Sequence, residues 1–309
     1  MFPIYLKKPS TWLHSLWKFS RPHTIIGTSL SILALYLIAL ATFKINPTVE
    51  NLGTLLGALG ACWCGNIYIV GLNQLEDVEI DKINKPNLPL AAGDFSLTQG
   101  KAIIVTTGIL ALVISGLLGI YLWGTVAISL AIGTAYSLPP IRLKRFPFWA
   151  AFCIFTVRGV IVNLGIFLHF SQKFNSQELL PPTVWTLTLF IVIFTVAIAI
   201  FKDVPDLEGD RQYNITTFTI LLGKQAIFNL SRWIITICYL VMIALGIFWL
   251  SEVNLEFLTI SHLGLLVLLW WRSQKVNLDN KVEITSFYQF IWKLFFWEYL
   301  LFPVACLIG

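Results

Sequence analysis

Runs of about 20 consecutive apolar residues recur from one end of this chain to the other, and a bilayer core about 30 Å thick is spanned by a helix of that length. Nine such helices are expected, near 24–43, 52–75, 101–119, 121–138, 148–170, 182–203, 226–250, 255–271 and 286–308. Of the 309 residues, 57% are hydrophobic and only 12% charged, and the mean hydropathy is +0.79, far outside the range of soluble domains. The expected fold class is therefore an all-α integral membrane protein with nine transmembrane helices, residues 1–309 forming one membrane domain.

Lys and Arg fix the expected orientation. Lys7, Lys8, Lys18, Arg21, Lys82, Lys85, Lys101, Arg142, Lys144, Arg145, Lys202, Arg211, Lys224, Arg272, Lys275 and Lys281 fall on one side, against Lys44 and Lys173 on the other. That bias of 16 to 2 puts the N-terminus in the cytoplasm and the C-terminus outside. Topology accounts for the net charge of +5, so no nucleic acid is expected, and no protein partner is inferred. The opening residues lack the pattern of a secretory signal. A bacterial membrane, or a mature organellar one, is the expected location. The five cysteines (Cys62, Cys64, Cys153, Cys238, Cys306) fall inside expected spans without metal-site spacing and read as buried small hydrophobes.

Two short windows interrupt this apolar pattern. Asn73-Gln-Leu-Glu-Asp77-Val-Glu-Ile-Asp81 and Asp203-Val-Pro-Asp206-Leu-Glu-Gly-Asp210 hold eight of the 16 acidic residues, each behind a long apolar run. Carboxylates beside a bilayer core are costly and usually mark a site, although two solvated loops would look similar. On a helix, Asp203, Asp206 and Asp210 lie within about 60° of one another. Gln74, Asp77 and Asp81 repeat those offsets, with Asn73 adjoining. Two oxygen-ligand stripes suit a hard divalent cation, and Mg²⁺ held in this way usually carries substrate phosphates.

Lys82, Lys85 and Lys202 adjoin the windows, and acid with base in one patch suits a phosphate–metal–carboxylate arrangement. Pro205 and Gly209 suggest that the second helix opens near its end. Tyr136-Ser-Leu-Pro-Pro-Ile-Arg142-Leu-Lys144-Arg145 is either a topology anchor or a diphosphate clamp. Arg158 lies about ten residues into the fifth span, where an arginine normally faces the bundle and has a partner. It contacts an anionic substrate or a site carboxylate, or else forms a structural pair; Asn163 is grouped with it as acceptor-binding.

The paired windows resemble the two aspartate-rich motifs of the UbiA-type intramembrane aromatic prenyltransferases. Arg21-Pro-His23-Thr and Tyr136-Ser-Leu-Pro-Pro extend the resemblance across nearly the whole chain, and the stretches around both windows are most similar to the homogentisate prenyltransferase branch. One departure is Gln74, where the general pattern has Asp; the branch commonly carries this Gln. The resemblance implies a bundle around a central cavity with a cytoplasmic cap and a lipid-side opening for a prenyl tail. It implies Mg²⁺ on Asn73, Asp77, Asp81, Asp203, Asp206 and Asp210, with the five aspartates catalytic. Diphosphate would be held by Asn73, Lys82, Lys85, Tyr136, Arg142, Lys144, Arg145 and Lys202.

The implied substrates are phytyl diphosphate and homogentisate, and the implied environment is the lipid bilayer. The sequence's 12 Trp, 23 Phe and 9 Tyr offer apolar walls for an isoprenoid. Geranylgeranyl or solanesyl donors fit the residues equally well. A cation-coupled transporter would place its acids nearer the membrane midplane. A CDP-alcohol phosphotransferase would need one dense acidic motif rather than two distant ones.

Overall fold

The computed structural model describes residues 9–174, 180–212 and 216–309, with side chains from residue 12 onward; Lys7 and Lys8 of the charge count lie outside the described residues. In chain order the helices are α1 (Pro9–Phe19), α2 (Pro22–Phe43), α3 (Val49–Glu76), α4 (Val78–Asn84), α5 (Leu97–Leu118), α6 (Ile120–Ser137) and α7 (Pro147–Phe155). A π-helical turn, Thr156–Ile161, joins α7 to α8 (Val162–Lys173). Then follow α9 (Pro182–Phe201), α10 (Leu207–Gln212), α11 (Phe218–Leu222), α12 (Lys224–Phe248), α13 (Leu255–Ser273) and α14 (Lys281–Leu307).

Among the described residues, nine helical segments are long and apolar enough to cross a membrane: α2, α3, α5, α6, α7 to α8 as one, α9, α12, α13 and α14. These match the nine apolar runs of the sequence. Local chemistry sets their ends. Pro22, Pro147 and Pro182 open three of them, where the missing N–H leaves nothing unsatisfied. Ser96 and Gln99 form a capping box at α5, and Asn254 and Asn280 cap α13 and α14.

Helices within a bilayer gain little from excluding water, so close contact at small residues matters more. Gly71 lies under the Phe19 ring, Gly108 under Tyr68 and Gly133 under Ile69. Buried α9 runs through the middle of the bundle, with Phe190, Phe194 and Phe201 fully or nearly fully enclosed. Outside the main core, Phe19, Leu72, Leu90, Phe95 and Ile104 form a second cluster that seats α1. A buried pair, His262 Nε2 to Glu298 Oε2 at 3.1 Å, ties α13 to α14. The cysteine expectation holds for Cys153, Cys238 and Cys306; Cys62 and Cys64 are only half-buried.

Candidate active site

The first acidic window is not one helical stripe. Helix α3 stops at Glu76, Asp77 leaves helical geometry (φ −113°, ψ 18°), and α4 starts at Val78. The second window breaks likewise: α9 ends at Phe201, residues 202–206 form turns, and α10 begins at Leu207. The expectation of a continuous stripe is corrected at the first window; the opening expected near Pro205 is present, but Gly209 lies within α10 instead of ending a helix. Pro205 accounts for the second break by removing a backbone donor. Tertiary contacts hold the first.

Asp77 is the centre of those contacts. Its carboxylate accepts from Lys144 Nζ at 2.6 Å, Arg142 Nη2 at 3.1 Å and Asn73 Nδ2 at 3.1 Å. Arg142 holds a left-handed backbone (φ 39°), and so does Arg21 (φ 52°). Such strain persists in non-glycine residues only where the surroundings impose it, and it clusters at functional sites. Both guanidinium groups reach the first window: Arg21 Nη2 donates to Asn73 Oδ1 at 3.2 Å and lies 4.0 Å from Asp81.

Across the cavity, Lys85 pairs with Asp206, and Lys202 Nζ meets the Tyr136 hydroxyl at 3.1 Å and Asp203 at 3.6 Å. Burial pulls the Lys202 ammonium down, but Tyr136 and Asp203 outweigh it and lift it above the usual lysine range. Burial pushes Asp81 up to about 6. Burial, reinforced by Asp203 and Asp206, pushes Asp210 up to about 7. Acids that raise one another in this way mark a place where added positive charge is favoured.

These groups rim a cavity of about 1390 Å³ that runs inward between α2, α3, α6, α7, α9 and α14. Along α3 it extends from Asp77 to Cys62, about 22 Å at 1.5 Å per residue. Tyr288, Trp292, Phe295 and Tyr299 line one wall from α14. The guanidinium of Arg158, carried on the π-helical turn, lies over Trp292 (4.7 Å to the ring centroid) and Phe295 (5.6 Å). Gly27 makes room for it, since a Cβ there would stand 3.2 Å from Arg158 Nη1. His23 meets the Trp292 edge with centroids 4.8 Å apart.

Of the residues assigned from sequence to metal, diphosphate or acceptor binding, all but Lys82 and Asn163 line this cavity. Lys82 points to the outside, where it pairs with exposed Glu79 at 2.7 Å. Asn163 is fully buried behind the wall; it donates to Gly159 O at 2.8 Å and accepts from the Tyr299 hydroxyl at 3.2 Å. Its amide is spent on positioning Tyr299, so its assignment to acceptor binding is withdrawn. Gln74 is also turned away, donating to Phe19 O at 2.7 Å and anchoring α1.

Sequence reading gave no site role to Arg21, which it noted only for topology and resemblance, nor to Asn84 or the α14 rings. The rings did leave a signal, because positions 288, 292, 295 and 299 share one helix face. Among the described residues, no three His, Cys, Asp or Glu side chains form a ready-made cage. The windows instead offer single carboxylates from two sides. Mg²⁺ is commonly bound this way, through one or two carboxylates and substrate phosphates.

A profile of the UbiA prenyltransferase family matches residues 29–294. The chain is 56% identical over 294 residues to homogentisate phytyltransferase of a Synechocystis species, covering 95% of this chain and 96% of that one. It is 41% identical over 301 residues to the chloroplastic homogentisate phytyltransferase 1 of Arabidopsis thaliana (94% and 75%). Over 298 residues it is 40% identical to homogentisate geranylgeranyltransferase of Triticum aestivum (94% and 72%). Among solved structures, a UbiA homolog from Archaeoglobus fulgidus bound to GPP and Mg²⁺ superposes with a TM-score of 0.64 at 15% identity, covering 96% and 100% of the two chains. An apo UbiA homolog from Aeropyrum pernix gives 0.66 at 16% identity (93% and 98%).

Proposed function

The chain belongs to the UbiA prenyltransferase family, and on that premise we propose that it transfers a phytyl group from phytyl diphosphate to homogentisate. Carbon dioxide and diphosphate leave, and 2-methyl-6-phytyl-1,4-benzoquinol is formed, a step of tocopherol biosynthesis. The whole chain acts as one catalytic domain, embedded in the bilayer with the acidic rim on the cytoplasmic side. The observation that carries this reading is the placement of both acidic windows, with their lysines and arginines, at one end of a deep cavity walled by aromatic rings.

Asp77, Asp81, Asp203, Asp206 and Asp210, with Asn73, would hold Mg²⁺. The mutual crowding of the second window's acids fits such a cation. When bound, magnesium withdraws charge from the diphosphate leaving group. Lys85, Arg142, Lys144, Arg145 and Lys202, joined by Arg21, neutralise the diphosphate as it departs; fixed charge of this kind is usually the largest catalytic contribution. The ring faces of Tyr288 and Phe295 attract the allylic cation left on the donor. Enclosure keeps out water that would quench it.

Arg158 takes the homogentisate carboxylate. An uncompensated guanidinium on the aromatic wall would repel the allylic cation, whereas a paired one would not, so binding of the acceptor conditions the wall for the reaction. Membranes containing the protein, given ring-labelled homogentisate and phytyl, geranylgeranyl or solanesyl diphosphate in turn, test this. Label should enter the phytyl product and stop doing so in chelator. Absence of transfer from all three donors would overturn the reading, and full turnover in chelator would overturn the role of the metal.

A further inference from the structure

We propose that Asn84 is a positioning residue that sets the second acidic window against the first. It is the last residue of α4, the short helix that starts after Asp77 and carries Asp81. Its Oδ1 accepts the backbone N–H of Gly209 at 3.1 Å, and its Nδ2 donates to Asp210 Oδ1 at 3.5 Å. One amide thus grips both the backbone and the carboxylate of α10, about 125 residues away in sequence. The next residue, Lys85, pairs with Asp206. Two consecutive side chains therefore register two of the three aspartates across the cavity.

Gly209 is the other half of the contact. A Cβ at that position would lie 2.4 Å from Asn84 Oδ1 and 2.6 Å from its Cγ and Nδ2, so any other residue displaces the entire amide. Gly209 is not among the glycines of positive φ, and its value here is the space it leaves. The amide's neutrality also matters. A lysine at position 84 would neutralise Asp210, and a carboxylate would repel it. An amide orients the group and leaves its charge available. A ligand bridging both windows needs that spacing held within about 0.5 Å, which packing alone rarely ensures.

The inference rests on the reading that the cavity takes a divalent cation with a diphosphate. The test uses detergent-purified full-length protein, the thermal stabilisation produced by Mg²⁺ with inorganic diphosphate, and steady-state kinetics. Outer-shell partners of metal ligands typically contribute 10–100-fold to affinity, so Asn84→Ala should raise half-saturating Mg²⁺ by about tenfold or more. The KM for prenyl diphosphate should rise with it. The KM for homogentisate, and the melting temperature without ligands, should stay near those of wild type. Gly209→Ala should reproduce this, and the double variant should be no worse than either single one, because both remove the same contact.

Unchanged half-saturation in Asn84→Ala, additive losses in the double variant, or a uniform fall in stability with every KM unmoved would overturn the inference. Asn84→Ser replaces Asn84→Ala if the latter does not fold. Wild-type protein that gains no stability from Mg²⁺ with diphosphate would overturn the underlying reading instead, which keeps the two failures apart.

Discussion

Asp77 shows how much one carboxylate organises here: it faces Arg142, Lys144 and Asn73 together. Neutralising it leaves two cations facing each other and removes an anionic ligand. Asp77→Asn and Asp203→Asn should each lower turnover at least about a hundredfold, about 2.7 kcal/mol of barrier. Glu208 and Glu79 are acids of the same windows, but they form exposed pairs with Lys281 and Lys82. Their Gln variants should stay within a few-fold of wild type, and loss of activity there with retention in the Asp variants would reverse the assignment. At Arg158, the Gln variant should raise the KM for homogentisate far more than that for phytyl diphosphate. Arg158→Lys should recover only part, since Lys lacks the planar fork that meets a carboxylate. An unchanged homogentisate KM in folded Arg158→Gln would exclude the acceptor role. The raised carboxyls at Asp81 (about 6) and Asp210 (about 7) add a pH dependence. A carboxylate raised in the folded state keeps its proton between about pH 4 and 7, where the unfolded chain has lost it, so these groups add stability as pH falls through that window. The charge that would hold metal is lost over the same range. Half-saturating Mg²⁺ should therefore rise below pH 7. In metal-free thermal unfolding, wild type should gain on Asp210→Asn as pH drops from 8 to 5.

The π-helical turn Thr156–Ile161 is the element that aims Arg158 at the cavity, and Gly159 within it lies directly on α9. A Cβ at Gly159 would stand 2.5 Å from Val192 Cγ2 and 3.0 Å from Val192 Cα. Backbone cannot step aside as a side chain can, so Gly159→Ala should cost about 1–3 kcal/mol and lower the melting temperature. An unchanged melting temperature would show that the two helices do not meet so tightly. Elements of this kind were unevenly legible in the sequence. Every membrane span was announced by its own composition, because a bilayer demands about 20 apolar residues whatever the neighbours do. The acidic windows were legible for the same reason, as exceptions to that demand. The break at Asp77 was not, since no proline or glycine marks it and the cations that hold it come from a loop some 65 residues later. The roles of Asn84 and Arg21 could not be read because their partners meet them only through space. Asn163 was grouped with Arg158 as acceptor-binding, although five positions on a helix already turn it about 140° away, and its packing against Tyr299 is seen only in the fold.

Taken as a whole, the molecule is a long pocket with a charged rim, and Ser31, Thr125 and Ser129 are among the residues that line it away from that rim. The Thr125 hydroxyl turns back to Tyr121 O at 2.7 Å and that of Ser31 to Thr28 O at 3.2 Å, whereas the buried Ser129 hydroxyl has no hydrogen-bond partner. That part of the pocket should limit donor length. Ser129→Leu should lower kcat/KM for phytyl diphosphate by about tenfold or more while a geranyl donor is spared, about 1.4 kcal/mol of discrimination. Equal effects on both donors would place the tail elsewhere. The pairing of Lys85 with Asp206 has a further consequence, for how the protein is made. The two residues are 121 positions apart. At about 5–20 residues per second, the ribosome needs roughly 6–24 s to deliver the second after the first. Over that interval the synthesised spans grow from two to six, and the chain carries a lysine whose acid has not yet been made. The rim can close only after the sixth span has emerged, so catalytic competence reports that insertion has passed that point, and a chain stalled before Asp206 would sit in the membrane half-built and silent.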